Sequence, residues 1–232
     1  MSVAADHNSK RHSKALSPAT LVGLTIALLL PIPPYREPFL HLLMTGWGLS
    51  WISAWELVGL FSKSLVIITL PILIVHWERR PLTSIGVRAL SVRDLLAALA
   101  TLLAFVLINR CLISLVNRMP VLRAELMRGV AIYASLPKWL DWSGLVANGI
   151  AEEVGFRGYA IERIEELTGS TLLGASAPFI VNVLVHAPVW GFHGMFAKAP
   201  VLLLFVVLYL WRRNLPACAL AHVLIDICAF EL

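Results

Sequence analysis

GLVANGIAEEVGFRGYAI, running from Gly144 to Ile161, is an apolar stretch interrupted by three charges, Glu152, Glu153 and Arg157. The chain around it decides how to read it. Of the 232 residues, 59% are hydrophobic and only 14% charged, with a mean hydropathy of +0.80. That composition excludes a disordered chain and an ordinary soluble domain, leaving a polytopic membrane protein. Near the bilayer centre each ionisable side chain costs ~2.5 to 3.5 kcal/mol, so charges placed there mark a functional site.

Further apolar runs flank this one. Candidate spans fall near 18–34, 51–77, 94–116, 143–161, 172–192, 199–211 and 214–231. The expected fold is all-α, a transmembrane helix bundle of about seven spans (six to eight), some short or re-entrant. It forms a single membrane domain over 1–232, with a motif-bearing core over 144–230. The Gly-rich run from Phe39 to Ser50 and the amphipathic stretch from Val121 to Leu136 suit the membrane interface. Trp47, Trp51, Trp77, Trp139, Trp142, Trp190 and Trp211 sit near span ends, where an indole keeps its N–H wet. Pro71 and Pro188 are expected to kink their helices.

The formal charge of +5 could suggest nucleic acid, but the basic residues come in short clusters between apolar runs instead of one stripe. No nucleic-acid partner is expected; the partners are the lipid bilayer and a membrane protein or peptide substrate. Lys10, Arg11 and Lys14, then Arg79, Arg80, Arg88 and Arg93, then Arg212 and Arg213 would share one side of the membrane. Arg118, Arg123, Arg128 and Lys138 fall opposite. This bias puts the N-terminus in the cytoplasm and the chain in the cell membrane as an integral multi-pass protein. The basic start and Leu21–Leu30 imitate a signal peptide, but Pro31–Pro34 follows without a cleavage site, so an uncleaved first span is expected. Cys111, Cys218 and Cys228 lack metal-type spacing. Cys228 is fifth from the end, where a prenylation box needs it fourth, so no prenylation is expected there.

In a regular helix Glu153 and Arg157, four apart, pair and reduce each other's burial cost. Glu152 points about 100 degrees away, along the stripe of Asn148, Gly155 and Tyr159. Without that partner, and facing a polar cavity, it is the candidate general base. His186 follows on the next span, with Asn182 one turn earlier on its face, and His222 and Asp226 are four apart on the last. Converging, these faces would enclose a wet pocket at membrane depth. Asn148, Asn182 and Tyr159 are its candidate substrate-binding residues.

Glu-Glu-x-x-x-Arg at 152–157 with Gly-Phe-Arg-Gly at 155–158, then His186, then Asn214-Leu215 and His222-x-x-x-Asp226, resembles in order the CAAX-protease and bacteriocin-processing (CPBP, or Abi) family of glutamic intramembrane proteases. The resemblance covers Gly144 to Phe230; the first 140 residues match only as membrane spans. It implies hydrolysis of a peptide bond in a membrane-associated or prenylated protein. Glu152 and His186 would hold and deprotonate the water, Glu153 and Arg157 would orient it, and His222 would face the oxyanion with Asp226 beside it. Two positions depart from the family pattern. Asn182 stands where an aromatic is usual, and Asp226 where Asn is frequent. An ionised Asp226 cannot donate to an oxyanion, so it either orients His222 or is itself protonated.

Two histidines and a carboxylate could instead bind zinc. The spacing is not the His-Glu-x-x-His of helical zinc proteases, and the resemblance points to metal-free water activation, so no cofactor is expected. His7, His12, His41, His76 and His193 fall near the tail or loop ends, outside the site. Two other classes remain: a non-catalytic scaffold or bacteriocin-immunity protein, and a proton-coupled carrier. A carrier fits poorly, because no internal repeat is detectable.

Overall fold

The computed structural model describes residues 16–29 and 37–231, and all regular structure among them is helical. Lys10, Arg11, Lys14, His7, His12 and Pro31–Pro34 lie outside the described residues, as do the side chains of the last three residues. α1 (Pro18–Leu29) and α2 (Glu37–Trp47) precede α3 (Trp51–Ile72), which continues through a wider turn to Trp77. α4 (Val92–Val116) and α5 (Pro120–Ala134) follow. α6 (Lys138–Glu152), a segment with i→i+5 bonding (Glu153–Ile161) and α7 (Glu162–Thr168) make one continuous rod. α8 (Thr171–Leu184), α9 (Ala187–Arg212) and α10 (Leu215–Glu231) complete the chain.

This is a helical membrane bundle. Trp51–Trp77, Val92–Val116 and Ala187–Arg212 are long and apolar enough to cross a bilayer, and Pro18–Leu29, Thr171–Leu184 and Leu215–Ala229 are shorter apolar helices. The rod from Lys138 to Thr168 is the remaining long helix. Its charges keep it from reading as a uniformly apolar span.

Several boundaries differ from the sequence reading. The fifth span ends at Leu184, and the sixth is long because α9 starts at Ala187. Pro188 therefore sits in the first turn of α9, where its missing N–H costs nothing, and does not kink a helix interior. The bend comes at Gly191 (φ 78°, ψ 176°), a conformation open to glycine. There the Glu125 carboxylate of α5 accepts from the backbone N–H groups of His193 (2.8 Å) and Gly194 (2.9 Å), and the Gly194 bond leads in holding that carboxyl below its usual range. Trp190 is not interfacial. It is buried, stacked on Tyr133 and packed on Gly129.

One end of the bundle is tied by ion pairs. Arg163 bonds Glu78 (2.7 Å), Arg80 bonds Glu166 (2.6 Å), and Arg213 bonds Glu162 and Glu165 (2.7 and 2.8 Å). Ser91 and Asp94 form a reciprocal cap that starts α4. Asp94 also accepts from Arg212 (2.8 Å) and Asn214 (3.1 Å), fixing the start of α10 to α4.

What sets the spacing of α6 and α10 is Gly149. A Cβ there would lie 2.8 Å from Val223 Cγ2 and 3.2 Å from its backbone nitrogen. Without it α6 and α10 pack closely enough for Glu153 to reach His222. Gly149→Val is expected to cost roughly 1–3 kcal/mol through overpacking and to lower the melting temperature and turnover together. Gly46→Ala, whose Cβ meets only Leu42 at 3.7 Å, is the control. Equal melting temperatures would mean the α6–α10 contact is looser than described.

Candidate active site

Glu152 and Glu153 stand where α-helical bonding gives way to i→i+5 bonding, a widened turn that recurs at functional sites. Each carboxylate finds a different environment. Glu152 lines a cavity of about 190 Å³. Its Oε1 accepts from Asn148 Nδ2 (3.0 Å) and its Oε2 from Asn182 Nδ2 (3.1 Å). Glu153 is fully buried, and its Oε1 accepts from His222 Nδ1 at 2.7 Å.

Arg157 lies between them, its Nη1 3.4 Å from Glu153 and 3.9 Å from Glu152. Nη2 donates to the Leu202 carbonyl (3.2 Å), and the guanidinium lies over the Phe205 ring (5.5 Å). The exclusive Glu153–Arg157 pair expected from four-residue spacing is therefore corrected. Arg157 serves both carboxylates, and the short partner of Glu153 is His222. Fully buried Glu153 has no water to bond, so it takes the nearest donor that packing supplies.

Asn182 joins the two halves of the site. Its side chain donates to Glu152, while its backbone carbonyl accepts from His186 Nδ1 (2.7 Å). A carbonyl can only accept, so His186 Nδ1 carries the proton and the neutral ring leaves Nε2 with a lone pair. Both Glu152 and His186 line the cavity. Asn182 is buried and outside the lining, so the substrate-binding role expected for it is replaced by a positioning one.

On α10, His222 stacks on Phe205 (4.2 Å between ring centres, 14° between planes). Its Nε2 is 3.6 Å from Asp226 Oδ2, beyond a good hydrogen bond. The bond that orients His222 thus comes from Glu153 and not from Asp226, for which orienting His222 was one of two roles the sequence left open. Asn148, His222 and Asp226 line the cavity. Tyr159 does not. It is buried at the ion-paired end, donating to Glu78 Oε1 (2.7 Å). The widened turn advances each residue by less than the α-helical 100 degrees, which swings Tyr159 off the Glu152 stripe.

Glu56, Lys63 and Lys198 also line the cavity and were missed in the sequence. Lys63 pairs with Glu56 (3.0 Å) on α3, and the Lys198 ammonium lies 3.7 Å over the Trp190 ring. The signal was present: Glu56 and Lys63 are charges seven apart inside an apolar span, the same anomaly that singled out Glu152. Among the described residues no three His, Cys, Asp or Glu side chains are grouped as metal ligands.

Residues 134–228, which carry every one of these motifs, match the family model described as type II CAAX prenyl endopeptidase Rce1-like. The match spans less than half of the chain and supports a likeness to the CPBP family over those residues. The match supports the resemblance read from the motifs, to membrane proteases of the CAAX type in general. No curated protein and no solved structure matches it.

Proposed function

We propose that the chain is a glutamic intramembrane endopeptidase that cleaves a membrane-associated or prenylated protein or peptide in the cell membrane, with its N-terminus in the cytoplasm. The observation that carries this reading is the Asn182 bridge, which ties the Glu152 carboxylate and the His186 ring to one residue where both line the same cavity. Glu152 takes a proton from water as its oxygen attacks the scissile carbonyl, with His186 Nε2 accepting the water's other hydrogen bond. His222, its Nδ1–H held by Glu153, donates a second N–H from Nε2 to the oxyanion as the doubly protonated imidazolium. Arg157 stabilises both carboxylates. Glu152 then returns its proton to the leaving amine, which balances the hydrolysis.

Metal content tests the chemistry. Purified active protein is expected to hold far less than one zinc per chain and to keep its turnover in strong chelators. Loss of activity on chelation, restored by stoichiometric zinc, would reassign His186, His222 and a carboxylate as ligands. Substrates trapped on Glu152→Gln and identified by mass spectrometry would name the cleaved proteins.

A further inference from the structure

We infer, building on the protease reading, that Glu125 is a positioning residue for His186. From α5 it caps the break in α9 at Gly191 and so fixes the turn that carries the histidine. Glu125 lies outside residues 134–228 and outside every motif that marks the site.

α9 is two helical pieces joined at that break. The first, from Ala187 to Trp190, is a single turn that starts directly after His186. Trp190 N–H donates to the His186 carbonyl (3.0 Å), so turn and histidine move as one unit. Val185, His186, Pro188, Val189 and Trp190 all line the cavity, which makes this turn one wall of the catalytic chamber. Gly191 ends it with φ 78° and ψ 176°. Where the helix resumes, its first N–H groups lack an intrahelical acceptor.

At an ordinary helix start the side chain of the capping residue accepts from the N–H two or three positions on. Gly191 has no side chain to offer, and none could be added, since a Cβ there would lie 2.4 Å from the Glu125 carboxyl carbon. Glu125 supplies the cap from another helix. Its Oε2 alone accepts from both His193 N–H (2.8 Å) and Gly194 N–H (2.9 Å), while Oε1 is 3.3 Å from the His193 ring.

α5 is built to hold that carboxylate in place. Leu122, Glu125, Leu126, Gly129 and Tyr133 fall on one helical stripe. Leu122 and Gly129 are buried, whereas Arg123, Met127, Arg128 and Val130 around the rest of the helix are exposed. At Gly129 the α5 backbone meets Trp190, where a Cβ would lie 2.3 Å from the indole. Tyr133 stacks on the same ring, 5.9 Å between centres. α5 therefore grips α9 on both sides of the break, through Trp190 before it and Glu125 after it. His186 is one turn before Trp190, about 6 Å along a helix. A slip of that turn carries the imidazole away from Glu152, and a misplacement of about 1 Å can cost about 10²-fold in rate.

Steady-state cleavage by Glu125→Ala, per folded protein and below its melting temperature, should show kcat reduced by up to about 10²-fold with KM little changed. Glu125→Gln should recover most of that loss, because one acceptor oxygen serves both N–H groups. A covalent link can replace the cap altogether: a Cβ at Gly194 lies 3.9 Å from Glu125 Cβ, within disulfide range. Cys218 is buried, so only Cys111 and Cys228 need replacing by alanine. In that chain, Glu125→Cys with Gly194→Cys should cleave when oxidised and lose the same factor when reduced. Should Glu125→Ala fail to accumulate, the oxidised and reduced forms make the comparison within one folded chain. The position of the turn is read without turnover from histidine-labelled protein. The His186 Nδ1–H resonance, assigned by its absence in His186→Gln, should be sharp in wild type and Glu125→Gln and broadened in Glu125→Ala. Wild-type kcat in Glu125→Ala, a reduced cysteine pair as active as the oxidised one, or an unchanged His186 resonance overturns the inference, as does a fall in melting temperature alone. The expected resonances in a chain that cleaves nothing would reject the protease reading and leave the Glu125 cap standing.

Discussion

Glu152→Gln is expected to lower turnover by about 10²–10⁴-fold, the usual contribution of a general base, while leaving the protein folded. Glutamine keeps the volume and one acceptor oxygen but cannot take the proton from water. Its new NH₂ faces an asparagine amide that now donates. Asn182 can accommodate it, because its buried Oδ1 has no hydrogen-bond partner, and rotating the amide by half a turn presents that oxygen to the new donor. The melting temperature in detergent should therefore stay close to wild type. Peptide cleavage followed by mass spectrometry, alongside thermal denaturation, reads both quantities. A variant that still cleaves at the wild-type rate would move the base elsewhere, and a chain indifferent to the change in every assay would be a scaffold.

The sequence carried the members of this site better than their connections. Charges inside apolar runs identified Glu152, Glu153 and Arg157, and ordered motifs added His186, His222 and Asp226, because burial cost is a property of residue type and context. Partner assignments assumed a regular α-helix through residue 161. The i→i+5 segment broke that assumption, moving Tyr159 to Glu78 and leaving Glu153 to His222. Nothing in the local sequence announces the widened turn. Its glycines sit in close packing: a Cβ at Gly155 would lie 3.3 Å from the Ala27 carbonyl, and one at Gly158 3.1 Å from the Ile85 carbonyl. The spans were legible as apolar runs, but the turn at Val185–His186 was not. Both sides of it are apolar, so hydropathy alone joined the start of α9 to the preceding span.

Arg157→Ala is expected to remove much of the fold's stability. Its side chain is 2% exposed and stands between Glu153 at 3.4 Å and Glu152 at 3.9 Å, so its loss strands two carboxylates in a medium that solvates neither. Removing one partner of a buried pair costs about 3–5 kcal/mol, set against a total of roughly 5–15 kcal/mol for a typical domain. The bond to the Leu202 carbonyl is lost as well. Membrane abundance and melting temperature should fall along with activity, and Arg157→Lys should recover only part of each, because a single ammonium cannot serve both carboxylates and that carbonyl together. A double variant separates charge from architecture. Arg157→Met with Glu153→Gln removes a buried cation and a buried anion at once while nearly keeping the volume, so it should regain stability relative to Arg157→Ala. It should stay inactive, because Glu152 would lack its cation and His222 its carboxylate partner. If Arg157→Ala instead accumulates and melts like wild type, the guanidinium is solvated and the buried cluster described here does not exist.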